Sequence, residues 1–255
     1  GFKLPHLKEE NIGYVPADWQ TYDEPSHDFD PVFFENCPDN INIDGYRQST
    51  KYFQHIEKEI REDFEFVDEV YNPCKEFISQ FDNNVIALHV RRTDATGRPD
   101  MYPVASVDWY EKMLKENFPD DVPVLVFTDQ LNWVQEQSLF KQDRFLISEQ
   151  REYSNYKVLN GRGEMEYSLL PWIDLCMISL CNGSIIPNST FGWWGSWLQK
   201  DKKYNTVYQF PYFGPFFYNI NPCYKDLKDF YPEQWIKGQL PDELVDPEFN
   251  AVEKS

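Results

Sequence analysis

The chain has 255 residues, 41% hydrophobic and 26% charged, with 43 Asp and Glu against 24 Lys and Arg for a formal net charge of −19. That length accommodates one large α/β domain or two modest ones, and the composition is that of an ordinary globular protein. The acidic balance argues against nucleic acid or an anionic membrane surface as a partner, and no apolar run approaches the length of a transmembrane helix.

Residues 1 to 45 have turn chemistry, with prolines at 5, 16, 25, 31 and 38 and little periodicity. Tyr46 to Phe64 reads as a helix, because Tyr52, Phe53, Ile56 and Ile60 recur at helical spacing with Lys51, Glu57, Lys58 and Glu62 outside. Asn72-Pro73 is expected to end this region. From residue 84 onward strands at 85–91, 123–128, 144–148, 184–187 and 205–210 alternate with helices at 106–117, 131–140, 166–181 and 190–200. That rhythm implies an α/β fold built on a mostly parallel, doubly wound sheet. The acidic stretch from Asp242 onward reads as a surface-lying or frayed end.

The cysteines (Cys37, Cys74, Cys176, Cys181, Cys223) are scattered and odd in number, without zinc spacing. Cys176 and Cys181 fall in an apolar helical stretch, where free cysteine serves as a small core residue. A reducing, cytoplasmic setting is expected, with a secretory lumen left open if an anchor precedes Gly1; the opening residues do not read as a signal peptide. Asn182-Gly183-Ser184 and Asn188-Ser189-Thr190 match the glycosylation sequon. The second is expected inside a folded site and says little about compartment.

Three strand ends carry the chemistry. The first is His89-Val90-Arg91-Arg92-Thr93-Asp94, after the apolar run Asn84 to Leu88. Ligands of open α/β sheets bind just beyond the carboxyl ends of such strands, and paired guanidiniums there suit a phosphate or pyrophosphate. The competing reading is an ion pair with one of the many acidic side chains. The second end places Thr128-Asp129 after Pro123 to Phe127. The third is Asn188-Ser189-Thr190-Phe191-Gly192-Trp193-Trp194 after Gly183 to Pro187, with Ser189 or Thr190 as N-cap of a helix whose free N–H groups favour a phosphate. Of Trp193, Trp194 and Trp197, at least two are expected in the core. The aromatic stretch from Tyr208 through Phe210, Tyr212, Phe213, Phe216, Phe217 and Tyr218 fits either a packed lid or a carbohydrate platform. Asp28-Phe29-Asp30 lacks a preceding strand and reads as solvated, so no metal ligands are assigned. Gly161-Arg162-Gly163 lacks the spacing of a dinucleotide fingerprint, and there is no P-loop or Ser-elbow.

These blocks, together with Asp174 to Cys181, Gly45 to Ser49 with Tyr52-Phe53, and Asp229 to Ile236, resemble the α-1,2-fucosyltransferases over residues 30 to 237. Thr93 is similar to the threonine of the related α-1,6-fucosyltransferases, which leaves linkage less defined than donor class. The resemblance implies a two-Rossmann (GT-B type) glycosyltransferase with its donor in the C-terminal half. The family's opening strand and Gly-x-Gly-Asn-Gln helix start have no counterpart here, so a complete donor half and a reduced N-terminal half are expected. The implied division is 1–80 as a remnant of the acceptor-side half plus a connecting helix, 81–240 as the GDP-sugar domain and 241–255 as an acidic tail.

Carried onto this sequence, Arg91 with Arg92 in support holds the β-phosphate of GDP-fucose, and Asn188, Ser189, Thr190 and Phe191 form the phosphate-side helix start. Asp174 reads the guanine edge, while His89, Thr128 and Asp129 border the nucleotide. The implied reaction is inverting transfer of fucose to a hydroxyl of a glycan acceptor, without a metal or other cofactor. Asp94 and Asp100 are candidates for the general base, Asp94 equally for orienting the guanidiniums. Transfer of another GDP-linked sugar such as rhamnose, or nucleotide-sugar binding without catalysis, are the alternatives. A phosphatase or kinase is disfavoured by the lack of its motifs.

Overall fold

The computed structural model describes residues 1–6, 19–148, 157–159, 165–167, 171–225 and 227–249. Two compact units emerge, one formed by Val67–Gly214 and Ile236–Ser255 (with Gly1), the other by Phe2–Phe66 and Pro215–Trp235.

In the second of these units β1 (Gln20–Asp23) pairs in parallel with β2 (Ile41–Asp44), and α1 (Pro31–Asn36) lies between them in sequence. Asp30 is not simply solvated: its Oδ1 accepts from the Phe33 N–H at 2.9 Å as the N-cap of α1, and the Tyr22 hydroxyl donates to its other oxygen. The helix expected over 46–64 is broken. Two single 3₁₀ turns, at Thr50–Tyr52 and Gln54–Ile56, precede α2 (Glu57–Asp63). Ser49 Oγ accepts from the Lys51 N–H at 3.3 Å, a local bond that competes with helix propagation, and Phe53 leaves helical geometry at φ −132°.

The first unit carries α3 (Asp68–Ser79), β3 (Ile86–Val90), α4 (Thr93–Gly97), α5 (Val107–Asn117), β4 (Val124–Thr128), α6 (Leu131–Glu136) and β5 (Phe145–Ile147). It continues with the antiparallel pair β6 (Lys157–Leu159) and β7 (Met165–Tyr167), then α7 (Pro171–Leu180), β8 (Ser184–Ile186), α8 (Thr190–Trp197) and β9 (Thr206–Phe210). After α9 (Pro215–Ile220) of the other unit, β10 (Ile236–Gln239) returns to this one. Among the described residues six strands form one sheet in the order β10–β9–β8–β3–β4–β5, every neighbouring pair parallel. The alternating strand and helix pattern of the sequence thus folds as the α/β parallel sheet with flanking helices that it implies.

Several boundaries differ from expectation. Pro73 does not end a region but lies inside α3, where Val70, Cys74 and Ile78 form one buried stripe whose packing outweighs the lost backbone bond. The helix expected from 166 begins at Pro171, because 165–167 belong to β7; residues 168–170 lie outside the described ones. The helix expected over 131–140 stops at Glu136, where Gln137 turns to an extended conformation. Gly161-Arg162-Gly163 lies outside the described residues.

The sheet buries both faces, so β3 and β4 are continuous apolar runs rather than alternating ones. Leu88, Val126, Ile185 and Val207 meet Trp109, Leu114 and Phe140 in the main core. Trp109 is fully buried, and its indole N–H donates to the Gln239 carbonyl at 2.9 Å, which ties α5 to the edge strand β10. Trp109→Ala is expected to cost about 3–5 kcal/mol through the cavity and the orphaned carbonyl, read as a fall in the urea midpoint. A loss below about 1 kcal/mol would contradict this account of the core.

Candidate functional site

The strand order changes direction between β3 and β8, with β4 and β5 following on one side and β9 and β10 on the other. Ligands of open parallel sheets bind at such a switch, outside the carboxyl ends of the two diverging strands. Here those ends are His89-Val90-Arg91 and Pro187-Asn188-Ser189, and α8 starts immediately after the second.

Arg91 is half-buried. Its Nη1 donates to the Asn188 backbone carbonyl, and its guanidinium lies 5.0 Å over the ring of Tyr102. Next to that carbonyl, Ser189 is the N-cap residue of α8, and its hydroxyl makes no capping bond to the first-turn N–H groups. A guanidinium facing a helix start supplies charge and directed donors for a phosphate oxygen. Thr190 is exposed and Phe191 half-buried at this mouth.

Arg92 is placed otherwise. Its side chain is 2% exposed, and Nη1 donates to Asp246 Oδ2 at 2.6 Å. The guanidinium stacks 3.8 Å from the Trp133 ring centroid, with Glu248 at 3.5 Å. It therefore does not stand beside Arg91 at the mouth: β3 ends at Val90, and at Arg92 the chain turns (φ −137°, ψ −41°) into α4, with the side chain held by Asp246 and Trp133. The ion pair considered as the competing reading is realised at Arg92. The stretch from Asp242 is accordingly not frayed through residue 249, since Asp246 is buried by this contact. Residues 250–255 lie outside the described ones.

The Asn188 carboxamide is 1% exposed and donates to the carbonyls of Pro103 and Tyr212, each at 3.1 Å, so it locks the strand end rather than facing a ligand. Asn182 is likewise buried, its amide bonded to the Asp201 carbonyl at 2.9 Å. Both sequon asparagines thus serve the fold.

His89 is buried, with its ring 5.6 Å from that of Phe191. Desolvation pushes its pKa down to about 4, with Asp129 opposing and Arg91 adding to the shift, so the imidazole is neutral at physiological pH. Gly192 makes room for it: a Cβ there would stand 2.7 Å from His89 Nδ1 and 3.2 Å from Ile186. Asp129 is exposed and its Oδ1 accepts from the Arg92 backbone N–H at 2.8 Å. Thr128 Oγ1 accepts from the Gln130 N–H at 3.0 Å and closes the turn after β4. Asp129 thus ties the end of β4 to the chain after β3, while the Thr128 bond is local to its own turn.

Asp174, in the first turn of α7, lies at the end of β5, where Ser148 Oγ donates to it at 3.0 Å. Burial raises its pKa to about 6, partly offset by that bond. One strand, β4, lies between β5 and β3, so two inter-strand spacings, about 10 Å, part it from β3. Asp100 is exposed and held bidentately by Arg98 at 3.0 Å, which lowers its pKa and leaves a weaker base. The side chain of Asp94 lies outside the described residues; its backbone belongs to α4. Trp193 and Trp197 are buried and stacked, and Trp194 is half-buried, so the helix tryptophans serve the core. Tyr208, Tyr212 and Phe213 are buried too, while Phe216 is 38% exposed.

Sequence reasoning missed Tyr102, Ser148 and Asp246. None has a local signature, because each acts on a residue far from it along the chain. Among the described residues no group of three or more His, Cys, Asp or Glu is disposed to hold a metal ion, and no helix is long and apolar enough to cross a membrane.

With that geometry in hand, similarity to known proteins is informative. Residues 13–216 match the model of Glycosyl transferase family 11. The chain is 34% identical over 120 residues to the O-antigen biosynthesis glycosyltransferase WbnK of Escherichia coli, covering 45% of this chain and 34% of that protein. It is 24% identical to an alpha-1,2-colitosyltransferase of Escherichia coli over 78% of this chain and 62% of that one. It is 27% identical to a galactoside 2-alpha-L-fucosyltransferase of Caenorhabditis elegans over 92% and 61% respectively. The chain thus spans from a third to just over three fifths of the length of these relatives. Among solved structures, NodZ alpha-1,6-fucosyltransferase soaked with GDP-fucose aligns with a TM-score of 0.42 at 17% identity, over 66% of this chain and 55% of that one. The family model covers most of the chain, and on that ground the protein belongs to Glycosyl transferase family 11.

Proposed function

We propose that the chain carries the donor side of a fucosyltransferase that moves fucose from GDP-fucose to a hydroxyl of a glycan acceptor, with inversion and most simply in α-1,2 linkage. The observation that carries this reading is Arg91 at the β3–β8 switch, facing the helix start whose Ser189 leaves its N–H groups uncapped. As the glycosidic bond breaks, negative charge grows on the departing pyrophosphate. A guanidinium and helix N–H groups preorganised beside it stabilise that charge more in the transition state than in the ground state.

The same positive groups support a metal-independent reaction, in which transfer proceeds unchanged in excess EDTA. The free, buried Cys74, Cys176 and Cys181 support a reducing, cytoplasmic setting. Asp174 suits the guanine edge, whose ring N–H and exocyclic amine both donate to a carboxylate. The remaining roles assigned at the mouth, to Ser189, Thr190 and Phe191, are backbone donation and shaping of the cleft. Asp94 remains the better of the two candidate bases, because Arg98 holds both oxygens of Asp100. A second donor sugar is favoured by one finding, the similarity to a colitosyltransferase over 78% of the chain. Assay of purified protein against a panel of GDP-sugars, with and without EDTA, separates the donors.

Arg91→Ala is expected to lower the transfer rate by about 10²–10³-fold while leaving the melting temperature near the native value, since the side chain is only half-buried. Near-native turnover in that variant would sink the donor assignment. Asp174 yields a second prediction, with opposite effects on stability and binding. Its folded pKa of about 6 exceeds the ordinary 3.8, so the folded state holds the extra proton between these values. Stability is therefore highest below about pH 3.8 for this group and falls as pH rises through about 6. Asp174→Asn is expected to melt higher than native at pH 7.5 and to bind GDP at least tenfold more weakly. The native protein's GDP affinity rises with pH through about 6 by more than the variant's. Equal affinity in the two proteins would remove Asp174 from the guanine site.

A further inference from the structure

The proposed donor site leaves Arg92 unused, although its guanidinium is buried and held by two rings and two carboxylates. Trp133 covers one face at 3.8 Å and Phe249 lies at 5.6 Å. Asp246 supplies the close counter-charge at 2.6 Å, and Arg92 Nε is buried without a hydrogen-bond partner. Glu248, at 3.5 Å, is 71% exposed and contributes little by comparison. Asp246 is itself fixed. Its backbone N–H donates to the Val104 carbonyl at 2.8 Å, and its Oδ1 accepts from the Glu248 N–H at 3.0 Å. The flanking Ser106 N–H donates to the Leu244 carbonyl at 2.9 Å. The segment 244–249 is therefore a strap latched to the chain just before α5, with one carboxylate aimed at Arg92.

Arg91 and Arg92 share a peptide unit at the end of β3, and the Arg92 N–H is tied to Asp129 at 2.8 Å. Where Arg92 is fixed, the backbone that aims Arg91 is fixed with it. We infer that Asp246 is a positioning residue: by clamping Arg92 from the C-terminal strap it sets the direction of Arg91 toward the anion at the β3–β8 switch. This rests on the reading of that switch as the pyrophosphate site. A buried pair of this kind is a weak source of net stability, but removal of one partner strands a buried charge. The geometry the pair fixes therefore matters more than the stability it adds.

The test compares GDP and guanosine binding by calorimetry for the native protein, Asp246→Asn, and the double variant Arg92→Met/Asp246→Leu, at a temperature where melting curves show each folded. Guanosine reads the nucleoside side of the site and lacks the phosphates. The expected result is a GDP dissociation constant at least tenfold higher in Asp246→Asn, with guanosine binding within twofold of native. The double variant removes both charges, so it is expected to recover the melting temperature without recovering GDP affinity. GDP affinity within twofold of native in either variant overturns the inference. Equal loss of GDP and guanosine binding also overturns it, because a general loosening of the fold would act on both. A native protein that binds no GDP overturns the donor-site reading itself, and this inference with it.

Discussion

The hydrogen bond from Arg91 to the carbonyl of Asn188 spans the place where the sheet's strand order reverses. Parallel strands on either side of that reversal have their crossover helices on opposite faces, so the two strand ends diverge and leave a crevice. Several polar groups near it fix the strand ends. The Asn188 carboxamide pins β8 to the carbonyls of Pro103 and Tyr212, Asp129 links β4 to the turn after β3, and Gly192 gives the buried His89 ring its space. On the proposed reading this is an anion site whose donors are fixed before a ligand arrives, and such preorganisation would let a strongly acidic protein bind a polyanion at one point.

The two arginines show how one dipeptide divides its labour. The chain leaves β3 at Val90 and turns at Arg92 into α4, and the two side chains find different partners: Arg91 the Asn188 carbonyl, Arg92 the C-terminal strap. Charge alone does not distinguish them in the sequence. Burial does: Arg92 is enclosed by Trp133, Asp246 and Phe249, whereas Arg91 retains access with one face on Tyr102. In the proposed site a helix start and the Arg91 guanidinium serve the anion.

Much of this was legible before any coordinates. The apolar runs of β3 and β4 declare themselves because strands buried on both faces lose alternation, and helix α5 shows through Trp109, Tyr110, Met113 and Leu114 at helical spacing. The helix start after β8 was readable from Ser189 and Thr190. Elements decided by distant partners were not. Pro73 sits within α3 because Val70, Cys74 and Ile78 have a surface to pack on, and β10, with the unpatterned Ile-Lys-Gly-Gln, is a strand because β9 offers it an edge. Asp246 looked like one more acid in an acidic tail, and only the position of Arg92, 154 residues earlier, gives it meaning. The local pattern reports which groups stand at a strand end, while the tertiary fold decides which of them face the ligand.

The central claim is that the β3–β8 switch binds the pyrophosphate of a GDP-sugar. A crystal structure of the protein soaked with GDP tests it most directly. The account predicts diphosphate oxygens between the Arg91 guanidinium and the first-turn N–H groups of α8, with the guanine edge toward Asp174. Well-ordered GDP elsewhere on the molecule, with this crevice empty, would contradict it.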